Sequence, residues 1–188
     1  MTVSSSDPTH AATEVLGFWF GEVPPDKRFA QDDAIDVKIA QRFGPLHAEL
    51  TEGVPPAWRD DPRTMLAAIV VLDQFSRNMF RGDPRAYAQD EAALALAREA
   101  LEKGFDKGMS GEEKQFLYMP FMHSERLADV ERSITLMHAA GLAEGEEFAR
   151  RHAEVIARFG RYPARNEALD RPTTAEEYAF LDQHPMGF

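Results

Sequence analysis

Five polar side chains stand where helical spacing predicts apolar ones: Asp73, Arg77, Asp90, His123 and His152. Leu66, Ile69 and Val70 continue into Asp73, Arg77 and Arg81, each four residues from the last, which sets a carboxylate and two guanidiniums on one face of a central helix. Asn78 lies beside them. Asp90 shares a stripe with Tyr87, Leu94, Ala97 and Leu101. His123 closes a helix that carries Phe116, with Glu125 just behind, and His152 falls on the face of Phe148, Val155 and Phe159. Charged groups turned inward must pair, bind something or reach water, because burying them alone is costly. Imidazole and carboxylate together suit general acid–base chemistry. Farther along, Phe159 to Asn166 leaves a helix through Gly160 and presents Arg161 and Arg165, with Asn166, on a turn constrained by Pro163. Arginine there recognises carboxylate or phosphate through its planar fork.

Plainer readings stand beside these. Asp73 and Arg77 at i,i+4 form a structural ion pair, a single histidine on an apolar face is a satisfied core residue, and the two arginines of the turn are solvated. Phe75, Met79, Phe116, Phe121 and Phe148 are expected in the core, and Trp58 is expected on the surface.

The elements that position these groups are all helices. Periodicity and cap signals divide the chain into seven or eight, with no strand alternation. The first holds Val15 to Phe20 and stops near Gly21, with Pro24 and Pro25 beyond. The second runs from about Asp32 to Leu50 and should bend or break at Gly44-Pro45. The third starts at Pro62 and reads to Phe80. The fourth opens at Asp83-Pro84 and is closed by Gly104. Ser110-Gly-Glu-Glu113 has capping-box spacing and opens a fifth, whose last turns Pro120 should disturb. A sixth covers about Leu127 to Ala140, a seventh Glu144 to Phe159, and Thr174-Ala-Glu-Glu177 caps a short last one. Short turns between successive helices predict antiparallel pairs within one domain, 1–188, preceded by a flexible tail over residues 1–10.

Composition narrows the function. The chain has 188 residues, 44% of them hydrophobic and 28% charged, as expected of a folded domain. With no cysteine, thiolate nucleophiles, disulfides and cysteine-bound metals are excluded. A net charge of −11 argues against nucleic acid or an anionic membrane as partner, although Arg158, Arg161, Arg165 and Arg171 reverse the sign locally against Glu167 and Asp170. The apolar run Met65–Leu72 is far short of the roughly 20 residues that span a bilayer. Met1 to His10 lacks a basic segment followed by an apolar run, so a cytoplasmic location is expected. There is no Gly-x-Ser-x-Gly elbow, phosphate-binding glycine loop or dinucleotide fingerprint, and no cofactor is implied by motif.

Leu72 to Gly82, Phe116 to Glu125, Phe159 to Pro163, Arg165-Asn166, Thr174 to Glu177 and Val15 to Phe20 together resemble the bacterial family called domain of unknown function 924. The resemblance spans nearly the whole chain. It implies an all-α, tetratricopeptide-like superhelical fold and no particular activity. The family pattern has a histidine at the place of Ala164, so a role resting on that imidazole does not carry over, whereas Arg161, Arg165 and Asn166 do.

The leading expectation is a helical binding domain for a small anion or a peptide carboxylate. Its ligand-binding residues are Asp73, Arg77, Asn78, Arg81, His123, Glu125, His152, Arg161, Arg165 and Asn166. The alternatives are a hydrolase in which His123 or His152 acts as base and Asp73 or Asp90 orients it, and a structural polar cluster in a protein-interaction domain. A metal site of His123, Glu125 and His152 with one aspartate ranks last, since no His-Glu-x-x-His helix is present; no metal is expected.

Overall fold

Helix starts follow their caps. The Asp7 carboxylate accepts the amide of His10, and Pro8 takes the first position of α1, Pro8–Leu16, which widens into a π-helical turn over Gly17–Glu22. In this computed structural model, which describes residues 3–184, the expected amino-terminal tail is therefore helical from Pro8, and Val3 is already buried. Asp32 caps α2, Asp33–Thr51, which continues through Pro45 without a break. Asp61 caps α3, which begins as Pro62–Ile69, passes through a π-helical stretch, Val70–Phe75, and finishes as Ser76–Met79.

The fourth helix starts later than expected. Pro84–Ala86 forms a separate 3-10 turn, and α4 spans Asp90–Glu102. Asp90 therefore sits in the first helical turn, where exposed amides favour a carboxylate, and not in mid-helix. Both capping boxes form: Ser110 with Glu113 opens α5, Gly111–His123, and Thr174 with Glu177 opens α8, Ala175–Gln183. Pro120 is carried inside α5 without ending it. Between lie α6, Leu127–Ala139, and α7, Ala143–Phe159, which closes at Gly160 in the left-handed conformation (φ 70°) that glycine adopts without strain. The described residues are helical with no strand.

The chain divides into two compact units. One holds the described residues through Arg81 with Arg85–Met109; the other holds Gly82–Pro84 and the described residues from Ser110. In the first, α3 is central, with α1, α2 and α4 all packed on it. Phe75 at its middle lies 5.0 Å from Phe43, 5.6 Å from Trp19 and 6.2 Å from Phe18, ring centre to ring centre. Met79, expected beside it in the core, is only half-buried. Trp58, expected on the surface, is fully buried here and donates to the Ser5 carbonyl at 3.3 Å.

In the second unit α6 packs along α5 and α7, and three-residue turns between 13-residue or longer helices make these neighbours antiparallel. Val130, Val155, Ile156, Tyr162 and Phe180 form its core cluster. Phe148, expected in that core, is half exposed; the buried positions on its part of α7 are Gly145 and Ala149. A Cβ at Gly145 would sit 2.9 Å from the Met137 sulfur, so α6 and α7 approach too closely there for a large side chain.

Candidate functional site

The predicted residues fall into separate groups. In the first unit, Asp73 is fully buried, and Arg77 donates to its carbonyl at 2.8 Å and to its carboxylate at 3.2 Å. The same guanidinium reaches Asp90 at 3.0 Å and stacks 5.6 Å over the Tyr87 ring. Burial opposes the Arg77 charge, but the two carboxylates outweigh it and hold its pKa above the ordinary value. Asp73 also accepts from Gln74 at 2.5 Å. Asn78 and Arg81 both turn to Asp36 on α2, at 2.7 Å and 2.6 Å. Every cation predicted in this unit is thus matched by an acid.

The π stretch organises this group. The Leu72 carbonyl receives the Ser76 hydroxyl at 2.6 Å and the Asp73 carbonyl receives Arg77, so side-chain donors meet the carbonyls where the helix widens. Ser76 is 2.8 Å from His47 Nε2. Because the carbonyl can only accept, the serine proton points to Leu72 and His47 donates to Ser76, the reverse of a base activating a nucleophile. Burial lowers the His47 pKa. The sequence reading missed His47, although it sits among Phe43, Leu46 and Leu50 on α2 and meets the same criterion as the five residues chosen.

In the second unit, charged groups surround the turn after α7. Glu125 accepts the Tyr162 amide at 2.8 Å and both arms of Arg171, at 2.7 and 3.0 Å. Burial raises the Glu125 pKa, but the Arg171 hydrogen bonds, the Tyr162 amide and the charges of Arg171 and Arg165 bring it below the ordinary value. Arg171 also donates to the Tyr162 carbonyl at 3.1 Å and to the side chain of fully buried Asn166 at 3.0 Å. Arg161 makes a fork on buried Glu177 at 2.7 and 2.9 Å and holds the Pro172 carbonyl at 2.8 Å. These contacts staple the turn.

Three predicted residues gather around Tyr162 itself. The Arg165 guanidinium lies 4.7 Å over its ring and donates to the His123 carbonyl at 2.8 Å; the His152 ring meets it edge-on at 5.4 Å. His123 and His152 are both half-buried. The Tyr162 hydroxyl is anchored on the Met122 carbonyl at 2.5 Å. His152 Nδ1 is 2.8 Å from the Phe148 carbonyl, which fixes the proton on Nδ1 and leaves Nε2 as the basic nitrogen of the neutral ring. Tyr162 and Arg171 were not among the predicted site residues; the signal for Arg171 was the local reversal of charge. Glu125, considered as a metal ligand with His123 and His152, has both oxygens committed, and no group of three His, Asp or Glu among the described residues is placed to hold an ion.

The family model for bacterial proteins of unknown function, DUF924, matches residues 15–185. The chain belongs to the DUF924 family. A neighbour of this DUF924 chain among solved structures is a protein of unknown function from Agrobacterium tumefaciens, 35% identical, with a TM-score of 0.89 over 94% of this chain and 99% of that one. No curated protein matches the sequence. No helix among the described residues of the DUF924 chain is long and apolar enough to cross a membrane.

Proposed function

We propose that this DUF924 protein is a helical binding domain for a small anion or a peptide carboxylate, with Arg165, His152 and His123 around Tyr162 as the recognition surface. The observation that carries the reading is the packing of a guanidinium and an imidazole on one anchored phenol ring. Around it, three guanidiniums (Arg161, Arg165, Arg171) stand with two carboxylates (Glu125, Glu177) in a chain of net charge −11. A guanidinium held in a fixed direction on an acidic protein suits a small anion better than a polyanion, which the rest of the molecule repels. The ring stack restrains the guanidinium, so less freedom is lost when a ligand docks. Cytoplasmic residence and a tetratricopeptide-like arrangement of the helix pairs belong to the same reading.

Thermal shift and calorimetry against inorganic phosphate, small carboxylates, and peptides with free or amidated carboxyl ends test it. A ligand that raises the melting temperature of the wild type should lose at least tenfold in affinity in Arg165→Ala. A smaller loss is expected in His152→Ala. Arg77→Ala, whose guanidinium is held by Asp73 and Asp90, should bind as the wild type does. Undiminished affinity in Arg165→Ala, or no response to any of these anions, would overturn the proposal.

The fixed tautomer of His152 supports general-base chemistry as a second reading. Its orienting group in this unit is a carbonyl, where the sequence reading expected Asp73 or Asp90. Mass analysis of any bound ligand for turnover, lost in His152→Gln, separates an enzyme from a binder.

A further inference from the structure

The residues that precede α1 fold back over the first unit and close on Trp58. Val3 is buried, and its amide donates to the Arg42 carbonyl of α2 at 3.1 Å. Two residues on, the Ser5 amide donates to the Glu49 carboxylate at 2.6 Å, and the Ser5 carbonyl accepts the Trp58 indole N–H at 3.3 Å. The Ser4 hydroxyl between them lies 3.2 Å from both Glu49 oxygens. One exposed carboxylate of α2 thus collects the segment, while the carbonyl of the same Ser5 receives a fully buried indole. Hydrogen bonds from the Ser5 side chain and amide, with that of Ser4, hold the Glu49 pKa below its ordinary value, as expected of a carboxylate that binds in its charged form.

We infer that residues 3–6 are a strap latched by Glu49: negative charge added at Ser4, or loss of the Glu49 carboxylate, lifts the strap and uncovers the Trp58 indole. The strap belongs to the first unit, so this inference stands apart from the anion-binding reading, whose residues lie in the second. Bonds to an ionised carboxylate are the strong kind of hydrogen bond, each worth about tenfold or more in an equilibrium. Here they are made by exposed side chains, Ser4 and Glu49, where charge changes without disturbing the core. Ser5 couples the latch to what it covers, because its amide is on Glu49 and its carbonyl on Trp58; releasing the first frees the second. Openings of this kind expose a few groups while the rest of the unit stays folded.

Hydrogen exchange of the Trp58 indole proton, followed by nitrogen-15 NMR on the full chain, reads the opening. Trp58 is 53 residues from its strap partner, so substitution at Ser4 leaves the intrinsic exchange rate of the indole unchanged. Backbone amides of α3 serve as the reference for unfolding of the whole unit. Glu49→Ala should speed indole exchange about tenfold or more. Ser4→Glu sets a second anion against Glu49 and should speed it about threefold or more, whereas Ser4→Lys adds a cation and should slow it about twofold or more. Ser4→Ala, which changes no charge, should fall between these two. Throughout, the α3 amides should keep their wild-type rates.

Equal indole rates in Ser4→Glu and Ser4→Lys would reduce the contact to ordinary packing and overturn the latch. An indole rate unchanged in Glu49→Ala would do the same. If the α3 amides accelerate in step with the indole, the strap does not open on its own, and the inference is wrong.

Discussion

Protonating Glu177 should weaken the protein over a defined acid range, and the amount follows from its surroundings. The carboxylate is almost completely buried and carries the Arg161 fork at 2.7 and 2.9 Å; it also accepts the Thr174 amide at 2.7 Å in the capping box. The Arg161 hydrogen bonds, with the capping contacts, hold its pKa at about 2 against an ordinary 4.5. That displacement corresponds to about 3 kcal/mol favouring the charged form, and screening through the exposed quarter of Arg161 leaves about 2 kcal/mol. Because the folded value lies below the unfolded one, this stability is complete above pH 4.5 and is lost as pH falls from 4.5 toward 2. Glu177→Gln can keep the acceptor for Thr174 while removing the charge and one of the two oxygens that accept the Arg161 fork. Urea unfolding followed by circular dichroism at pH 7, 5, 4 and 3 should show the variant about 2 kcal/mol weaker at pH 7, with the gap narrowing below pH 4.5. Other acids titrate in both proteins and cancel in the difference. A gap that stays constant down to pH 3 would refute the argument, since the loss would then come from packing and not from charge.

Phe75→Ala removes the ring at the meeting point of Phe18, Trp19 and Phe43 and should cost about 3–5 kcal/mol in urea unfolding; a loss under about 1 kcal/mol would mean that the first unit's core does not centre there. The His47 imidazole, pushed down by burial, should titrate by NMR with a midpoint below 6.5, so its contribution to stability is complete above pH 6.5 and declines as pH falls through that value; a midpoint at or above 6.5 counts against burial as the controlling influence on this ring. Asp170 is the one non-glycine among the described residues with positive φ, at 50°, and Asp170→Gly should gain about 0.5 kcal/mol by thermal unfolding; a decrease would show that its side chain has a structural role.

The features legible in the sequence were the local ones. A capping box needs only a hydroxyl and a carboxylate three residues apart, and both form as read, at Ser110 and Thr174. Fold class came from spacing, because apolar steps of three and four admit only a helix. Errors arose where a partner distant in sequence decides the outcome. Trp58 lies in a polar, proline-rich stretch that looks solvent-facing, yet it is buried with its indole on Ser5, 53 residues away. Phe148 was misread for a related reason: the close approach of α6 and α7 makes Gly145 and Ala149 the contact positions, and a periodicity weighted by large side chains overlooks small ones.

The candidate site shows the same division more sharply. Extending Leu66, Ile69 and Val70 to Arg81 in four-residue steps assumes a regular helix, whereas the π stretch from Val70 to Phe75 inserts extra chain per turn and rotates the residues beyond it. Arg77 still meets Asp73, because the two are close in sequence, but Arg81 and Asn78 turn to Asp36, 45 and 42 residues earlier. Residue type identified which groups carry chemistry, but only their partners show how that chemistry is committed. In the first unit each predicted guanidinium lies on an acid. In the second, Glu125 and Glu177 are occupied by Arg171 and Arg161, and Arg165 lies on an aromatic ring and donates to a carbonyl. A ring stack holds the face of a guanidinium and so fixes the direction in which its plane lies. That restraint, not the number of arginines, is why Arg165 is placed at the centre of the proposed site.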